Sequence, residues 1–298
     1  MEDTIAEKLA TIAENEQNVF NAGYEKGLAS GGVTINNQDK TITENGVYQA
    51  DEGYTGLGTV TVEVASTGGG DIDALIDGSI TELTSNVIKI KSRGLYACTE
   101  LTTIDFPNAT YIGEYAFSGC AALLVADFPN VTTLGNYTFE NCNKLTTANF
   151  PNATSISSNA FKGCWALQTI NFPNAITVSG YAFQNCGKLA TVNFPKVTKI
   201  DNQAFGLGYS LKTVILRVNQ VATLSNVNAF NGCCHIHGTV DATYNPNGLK
   251  DGYIYVPKDL VESYKTATNW ASFANQFRAL EDYTVDGTIT GELDESKI

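Results

Sequence analysis

NFPNATSISSNAFKGC, Asn149 to Cys164, has a close copy of itself on either side. Phe-Pro pairs begin at 106, 128, 150, 172 and 194, each 22 residues after the last. Cysteines keep the same step at 98, 120, 142, 164 and 186, and leucines at 101, 123, 145, 167, 189 and 211. An Ala-Phe or Thr-Phe pair precedes four of the cysteines, with its phenylalanine at 117, 139, 161 and 183. A period held at this many positions marks a repeated supersecondary unit. One such unit cannot bury its own apolar side, so the units must stack.

Each copy opens L-x-x-[IAV]-[DN]-F-P. Its alternation predicts a short strand with Leu101, Ile104 and Phe106 pointing inward and Thr103 and Asp105 outward. Proline then ends the ladder because it has no N–H to donate. A second β-branched triplet (Thr-Tyr-Ile, Thr-Thr-Leu, Thr-Ser-Ile, Ile-Thr-Val) predicts another short strand, and the Tyr-Ala-Phe-Ser-Gly-Cys type segment one helical turn. With strands ~4.8 Å apart, six rungs give a solenoid of roughly 30 Å. The period decays toward the C-terminus: Gly208 stands where a cysteine is due, Leu216-Arg217 replaces Phe-Pro, and Ala229-Phe230 arrives three residues late. Decay of this kind is expected of a capping rung.

The L-x-x-I-x-F-P and A-F-x-G-C combination, over about residues 80 to 256, resembles the BspA-type leucine-rich repeat family of bacterial and phage surface proteins. The resemblance implies a right-handed parallel solenoid with a recognition role and no catalytic centre. The expected fold class is therefore a leucine-rich repeat solenoid of parallel β-strands with short helical turns, over residues 71–256.

Outside the repeat, Ile5, Leu9, Ile12 and Val19 form a narrow apolar stripe, so residues 1–30 read as an amphipathic helix and hinge. A frayed or tertiary-packed helix and an oligomerising or docking helix are both open readings there. Residues 33–65 alternate as a small β module with Asn45-Gly46 as a turn. Ala13–Gly27 (AENEQNVFNAGYEKG) and Ile42–Val64 (ITENGVYQADEGYTGLGTVTVEV) resemble segments of phage and prophage structural proteins, tail-associated ones among them. Residues 66–70 (STGGG) form a linker, and 71–78 a short helix over the first rung. Near the other end GYIYVP is a last strand. The stripe of Leu260, Val261, Tyr264, Trp270, Phe273 and Phe277 then predicts a capping helix over 257–280, before an acidic tail at 281–298.

The 298-residue chain has a net charge of −13 and a sequence pI near 4.5. That balance argues against nucleic-acid binding, which draws on clustered Lys and Arg. No apolar run approaches the length of a membrane span, so no membrane insertion is expected. The N-terminus lacks the continuous apolar core of a secretory signal, so the expected product is either intracellular when made or leaves by lysis or on a particle.

The cysteine column reads as buried reduced thiols, with disulfides between rungs and metal as alternatives. Cys233, Cys234, His235 and His237 in GCCHIHG read as an ordinary turn, with zinc as the alternative. Asp105, Asp127, Asn149, Asn171 and Asn193 form one outward column. Two stacked carboxylates resemble a glycosidase pair, but a side-chain ladder explains all five residues at once. No cofactor is expected, and no catalytic residue.

What varies between copies is then the candidate recognition surface. One column holds Tyr115, Tyr137, Asn159, Tyr181 and Gln203, another Ala121, Asn143, Trp165, Gly187 and Tyr209. Their aromatics, Tyr115, Tyr137, Trp165, Tyr181 and Tyr209, offer apolar surface with a polar handle, suited to a bacterial surface glycan or protein. The expectation is a non-enzymatic recognition or structural protein of a phage tail or virion, made in the host cytoplasm. Its N-terminal region would join other tail proteins, as a homotrimer. A bacterial cell-surface adhesin of the same repeat type is the alternative, and a surface-glycan hydrolase a weaker one.

Overall fold

The computed structural model describes residues 82–282 except 86, 239–242 and 244. It also describes strands at 33–37, 40–42, 59–64, 71–72, 284–285 and 288–289. The predicted helix and hinge of residues 1–30, the Asn45-Gly46 turn and the 66–70 linker lie outside the described residues.

Each 22-residue copy folds into one rung of a parallel solenoid. The first strand of a rung pairs in register with its counterparts above and below, as in Thr147 with Val125 and Thr169, and Asn149 with Asp127 and Asn171. The β-branched triplets make the second strand, pairing Tyr111–Ile112 with Lys89–Ile90 and Thr133–Leu134. Proline has no amide to donate, and the asparagine after it bridges the rungs instead. Asn130, Asn152 and Asn174 each donate Nδ2 to the carbonyl of a proline one rung back, at 2.7 Å.

The third side of the rung differs from the predicted helical turn. It is a run of i to i+3 turns in which alternate amides serve two purposes. Ala116, Ser118 and Cys120 donate within the rung to Gly113, Tyr115 and Phe117, whereas Tyr115, Phe117 and Gly119 donate to Asn136, Thr138 and Glu140 of the next rung. This alternation requires two left-handed residues per rung. One falls at Tyr115, Tyr137, Asn159, Tyr181 and Gln203, the other at Gly119, Asn141, Gly163, Asn185 and Leu207, all with φ between 53° and 81°. A true helical turn would aim its amides along its own axis and leave the neighbouring rung without donors.

The interior is lined as the alternation predicts. Leu101, Phe106, Phe117 and Cys120 are at most 1% exposed, as are most of their counterparts along the stack, and Ile104 is 9% exposed. The phenylalanines form two ranks. Phe106, Phe128, Phe150 and Phe172 stack with centroids 5.1–6.2 Å apart. Phe117, Phe139, Phe161, Phe183, Phe205 and Phe230 stack at 5.0–5.6 Å. The ranks meet each other tilted or edge-on, as Phe150 meets Phe161 at 64°. Offset and edge contacts of this kind each add about 0.5–1.5 kcal/mol beyond area burial. Thr138, the one polar residue in the alanine column, is buried and donates its hydroxyl to Gly135 O at 2.6 Å.

Both ends are closed by strands. Thr59–Val64 pairs parallel with Glu82–Ser85, so the small β module continues the solenoid sheet. Asp71–Ile72, expected in a short helix, is instead a strand paired with Lys89–Ile90. At the C-terminal end, Tyr253–Val256 pairs with Thr213–Leu216, as the last-strand reading of GYIYVP requires, but a further strand, Phe277–Ala279, pairs beyond it. The predicted capping helix is thus broken into the contiguous segments Lys258–Leu260 and Val261–Thr266 and a separate Trp270–Gln276, which Asn269 in a left-handed conformation precedes, before that strand. Its aromatics pack on the last rung as expected: Tyr264, Trp270, Phe273 and Phe277 are buried, and Trp270 Nε1 donates to Ala222 O at 2.6 Å. In the acidic tail, Thr284–Val285 and Thr288–Ile289 form an antiparallel pair.

Candidate functional site

The cysteine column lies inside. Cys98, Cys120, Cys142, Cys164, Cys186, Cys233 and Cys234 are all buried, and none is in a disulfide. Burial is the main cause that pushes the Cys142, Cys164 and Cys186 thiols above their ordinary value. For Cys120 a hydrogen bond with Cys98 leads and burial adds to it. Cys233 is pushed up by burial to about 12. It keeps the cysteine position of its own rung, and a Cβ added at Gly208, one rung back where a cysteine is due, would lie 3.2 Å from its sulfur.

The rest of GCCHIHG is a one-turn helix, Cys234–His237, ended by Gly238 in the left-handed conformation. His235 Nδ1 lies 2.5 Å from Asp251 Oδ1, and Lys212 Nζ 3.1 Å from Asp251 Oδ2. Desolvation raises the Asp251 value, but the bonds from His235 and Lys212 outweigh it and hold the carboxyl below the ordinary range. Asn245 Nδ2 reaches Cys234 O at 2.7 Å, so this segment ties the 245–251 loop to the last rungs. Among the described residues no three His, Cys, Asp or Glu side chains gather as a metal site would need.

The expected ladder forms over the middle of the outward Asp/Asn column, Asp127, Asn149 and Asn171, while Asn193 is met by Arg217. Asn149 Nδ2 donates to Asp127 Oδ1, Asn171 Nδ2 to Asn149 Oδ1, both at 2.7 Å, and Arg217 Nε to Asn193 Oδ1 at 3.3 Å. Asp127 is thereby a hydrogen-bond acceptor within the stack.

The aromatic columns remain. Tyr115 and Tyr137 are half-buried and stacked, with centroids 4.6 Å apart and planes within 3°. The Arg93 guanidinium lies 5.3 Å from the Tyr115 ring centre and 5.7 Å from that of Tyr96. Desolvation, then Tyr137 and Glu140, hold the Tyr115 phenol above its ordinary value against the pull of Arg93. Asn159, next in the column, is buried, and Tyr181 beyond it accepts a hydrogen bond from Asn202 Nδ2 at 3.3 Å. In the second column Trp165 and Tyr209 meet, with centroids 5.6 Å apart and planes at 56°. The five sequence-selected aromatics therefore fall into a Tyr115–Tyr137 stack, a Trp165–Tyr209 pair and Tyr181. Arg93 and Tyr96 extend the first cluster and were missed. Arg93 stands 22 residues before Tyr115, so its place in that column was readable.

A sequence model of the BspA type leucine rich repeat region matches this chain in six copies, over residues 78–181 and 132–244. A search of curated proteins gives no match. Among solved structures, similar chains include a leucine-rich repeat protein from Bacteroides ovatus, at 18% identity and a TM-score of 0.48, over 68% of this chain and 55% of that one. Another is a leucine-rich repeat protein from Eubacterium ventriosum, at 23% identity and a TM-score of 0.49, over 61% of this chain and 50% of that one. A leucine rich cell surface protein from Faecalibacterium prausnitzii matches at 16% identity and a TM-score of 0.28, over 83% and 86%. The chain spans about half the length of the first two.

Proposed function

This chain belongs to the BspA-type leucine-rich repeat family, and from that premise we propose that it is a non-enzymatic recognition protein that binds a bacterial surface glycan or protein through its solenoid. The observation that carries this reading is the display of two aromatic clusters, Arg93–Tyr96–Tyr115–Tyr137 and Trp165–Tyr209, on a wall whose backbone is hydrogen-bonded rung to rung. Side chains fixed to so rigid a support lose little further freedom on binding, which favours recognition. The interior thiols are buried and held protonated, so the candidate surface is the outer wall.

The place of action in this reading is a phage tail or virion, with the N-terminal region joined to other tail proteins as a homotrimer. Its support is the resemblance of Ala13–Gly27 and Ile42–Val64 to phage structural segments. A bacterial cell-surface adhesin would use the same wall. Immunogold labelling of purified particles and of intact bacteria separates the two. Mass photometry tests the assembly, since a trimer should become a monomer on deletion of residues 1–30.

Recognition is tested by binding labelled protein to candidate host cells. Alanine at Tyr137, Trp165 and Tyr181 together should weaken it at least about tenfold, the scale of losing aromatic hot spots. Unchanged binding would remove the aromatic columns from the mechanism.

A further inference from the structure

The chain has three arginines, Arg93, Arg217 and Arg278. Two of them donate to oxygens of the fold: Arg217 Nε to Asn193 Oδ1 at 3.3 Å, and Arg278 Nη1 to the carbonyls of Asn275 and Phe277 at 2.9 and 2.7 Å. Arg93 differs. It is exposed, and among the described residues its guanidinium neither donates to an oxygen nor pairs with a carboxylate. Aromatic rings hold it instead, with Cζ 5.3 Å from the Tyr115 centre and 5.7 Å from that of Tyr96, both within cation–π range. The support is fixed: Arg93 N donates to Glu114 O at 2.8 Å, Tyr96 N donates to Arg93 O at 3.1 Å, and Tyr115 stacks on Tyr137. The two carboxylates whose charges reach Tyr115 have other partners. Glu114 Oε1 accepts from Asn136 Nδ2 at 3.1 Å, and Glu140 Oε1 meets Lys162 Nζ at 3.2 Å.

Resting on the proposed recognition role, we propose that Arg93, braced by Tyr96 and Tyr115, is an anchor that receives an aspartate or glutamate carboxylate of a protein partner. A guanidinium fork takes a carboxylate through two parallel N–H···O bonds, and a fork already oriented loses less freedom in forming them. The rings favour a protein over a sugar acid. Tyr115 has Tyr137 of the next rung on one side and Arg93 of the preceding rung on the other, so its faces are taken and a sugar ring could not stack there. What the cluster offers is a donor fork rimmed by tyrosines, and arginine and tyrosine are the residue types that dominate protein hot spots. Tyr96, 44% exposed, adds apolar area beside the fork. The net charge of −13 belongs to the flanking segments, because residues 82–282 carry 14 Lys and Arg against 13 Asp and Glu. An acidic partner therefore meets a solenoid close to neutral.

Arginine side-chain NMR provides the test, because only three Nε–Hε signals arise when the full chain is labelled with [15N]arginine. Arg93→Lys identifies the signal by its loss. The chain is titrated with a blocked hexapeptide of alternating glutamate and serine, and with its glutamine counterpart. The Arg93 signal should shift saturably with the first and not with the second, while Arg217 and Arg278 stay in place. Followed by calorimetry, Arg93→Gln should abolish peptide binding, and Arg93→Lys, which keeps the charge but not the fork, should weaken it about tenfold. If Arg93→Gln fails to fold, Arg93→Lys decides. An unmoved Arg93 signal, or wild-type affinity in the folded variants, overturns the anchor. A stronger response to oligogalacturonate than to the peptide also overturns it, in favour of a sugar acid. Should the anchor fail while alanine at Tyr137, Trp165 and Tyr181 still weakens cell binding, recognition stands without it. Cell binding indifferent to both that triple change and Arg93→Gln would sink the recognition reading, and the anchor with it.

Discussion

The Sγ of Cys142 donates to the carbonyl oxygen of Phe117, in the preceding rung, at 3.1 Å. Cys120, Cys164, Cys186 and Cys233 make the same bond to Leu95, Phe139, Phe161 and Phe205, at 2.8–3.2 Å. The thiol is therefore a donor as well as a small packing residue, which accounts for its place at the end of each turn.

Alkylation follows directly. These thiols are buried and their values raised, Cys233 to about 12, so the reactive thiolate is absent from the folded chain even at pH 9. Iodoacetamide should label these sites only as fast as the solenoid opens, with complete labelling in denaturant. Pulse alkylation read by mass spectrometry checks this, and rapid labelling of Cys142 or Cys164 in native protein would refute the ladder.

A central phenylalanine carries more than its own rung. Phe150 is fully buried and touches Phe128, Phe139, Phe161 and Phe172. Phe150→Ala should cost about 3–5 kcal/mol, the range for truncating a large core aromatic. Urea unfolding followed by circular dichroism measures it.

Tyr137 has φ 57°, a conformation that β-branched side chains resist. Tyr137→Val should lower stability by about 1–2 kcal/mol or more, whereas Tyr137→Gly should cost less because glycine accepts this backbone freely. The ordering Gly above Val in thermal midpoint is the readout. A reversed order would mean that ring stacking with Tyr115, rather than backbone strain, dominates this site.

Asp251 predicts a pH dependence. Its value lies below the ordinary 3.8, despite desolvation, through His235 and Lys212. A carboxylate whose folded value is lowered adds stability that is present above its unfolded value and lost as pH falls through the folded one. Asp251→Asn should therefore destabilise the protein at neutral pH. The effect should not exceed about 1 kcal/mol, because the carboxylate is 41% exposed and screened by solvent. The gap between variant and wild type should close as pH drops below 3.8, as thermal melts across pH would show.

The period at 22 residues was sufficient to place the strands and the interior, because Leu101, Ile104, Phe106 and Cys120 are apolar in a pattern that only stacked rungs can bury. The third side was misread as helical. Ala-Phe-x-Gly-Cys has helix-compatible residues, and what decides otherwise is donation from Tyr115, Phe117 and Gly119 to another rung, a long-range bond that no local window contains. A clue was nevertheless present: Gly119, Asn141, Gly163 and Asn185 are the residue types that tolerate positive φ. Phe277–Ala279 was hidden because an aromatic at helical spacing also suits a strand that adds to an open sheet edge. The Trp165–Tyr209 contact could not be read from either residue. It depends on Gly187 between them, where an added Cβ would collide with the Trp165 ring, and on a register that exists only once the rungs are stacked.

Because the upper surface of one rung offers the same donors and acceptors as that of the next, whole coils are interchangeable. Unequal recombination between copies, for example losing 131–152 so that Asn130 joins Ala153, would rebuild the Phe-Pro-Asn-Ala junction without leaving a scar. Reach and display could then change in discrete steps, and a lineage could trade Tyr137 for a different side chain by discarding a coil rather than by altering a codon.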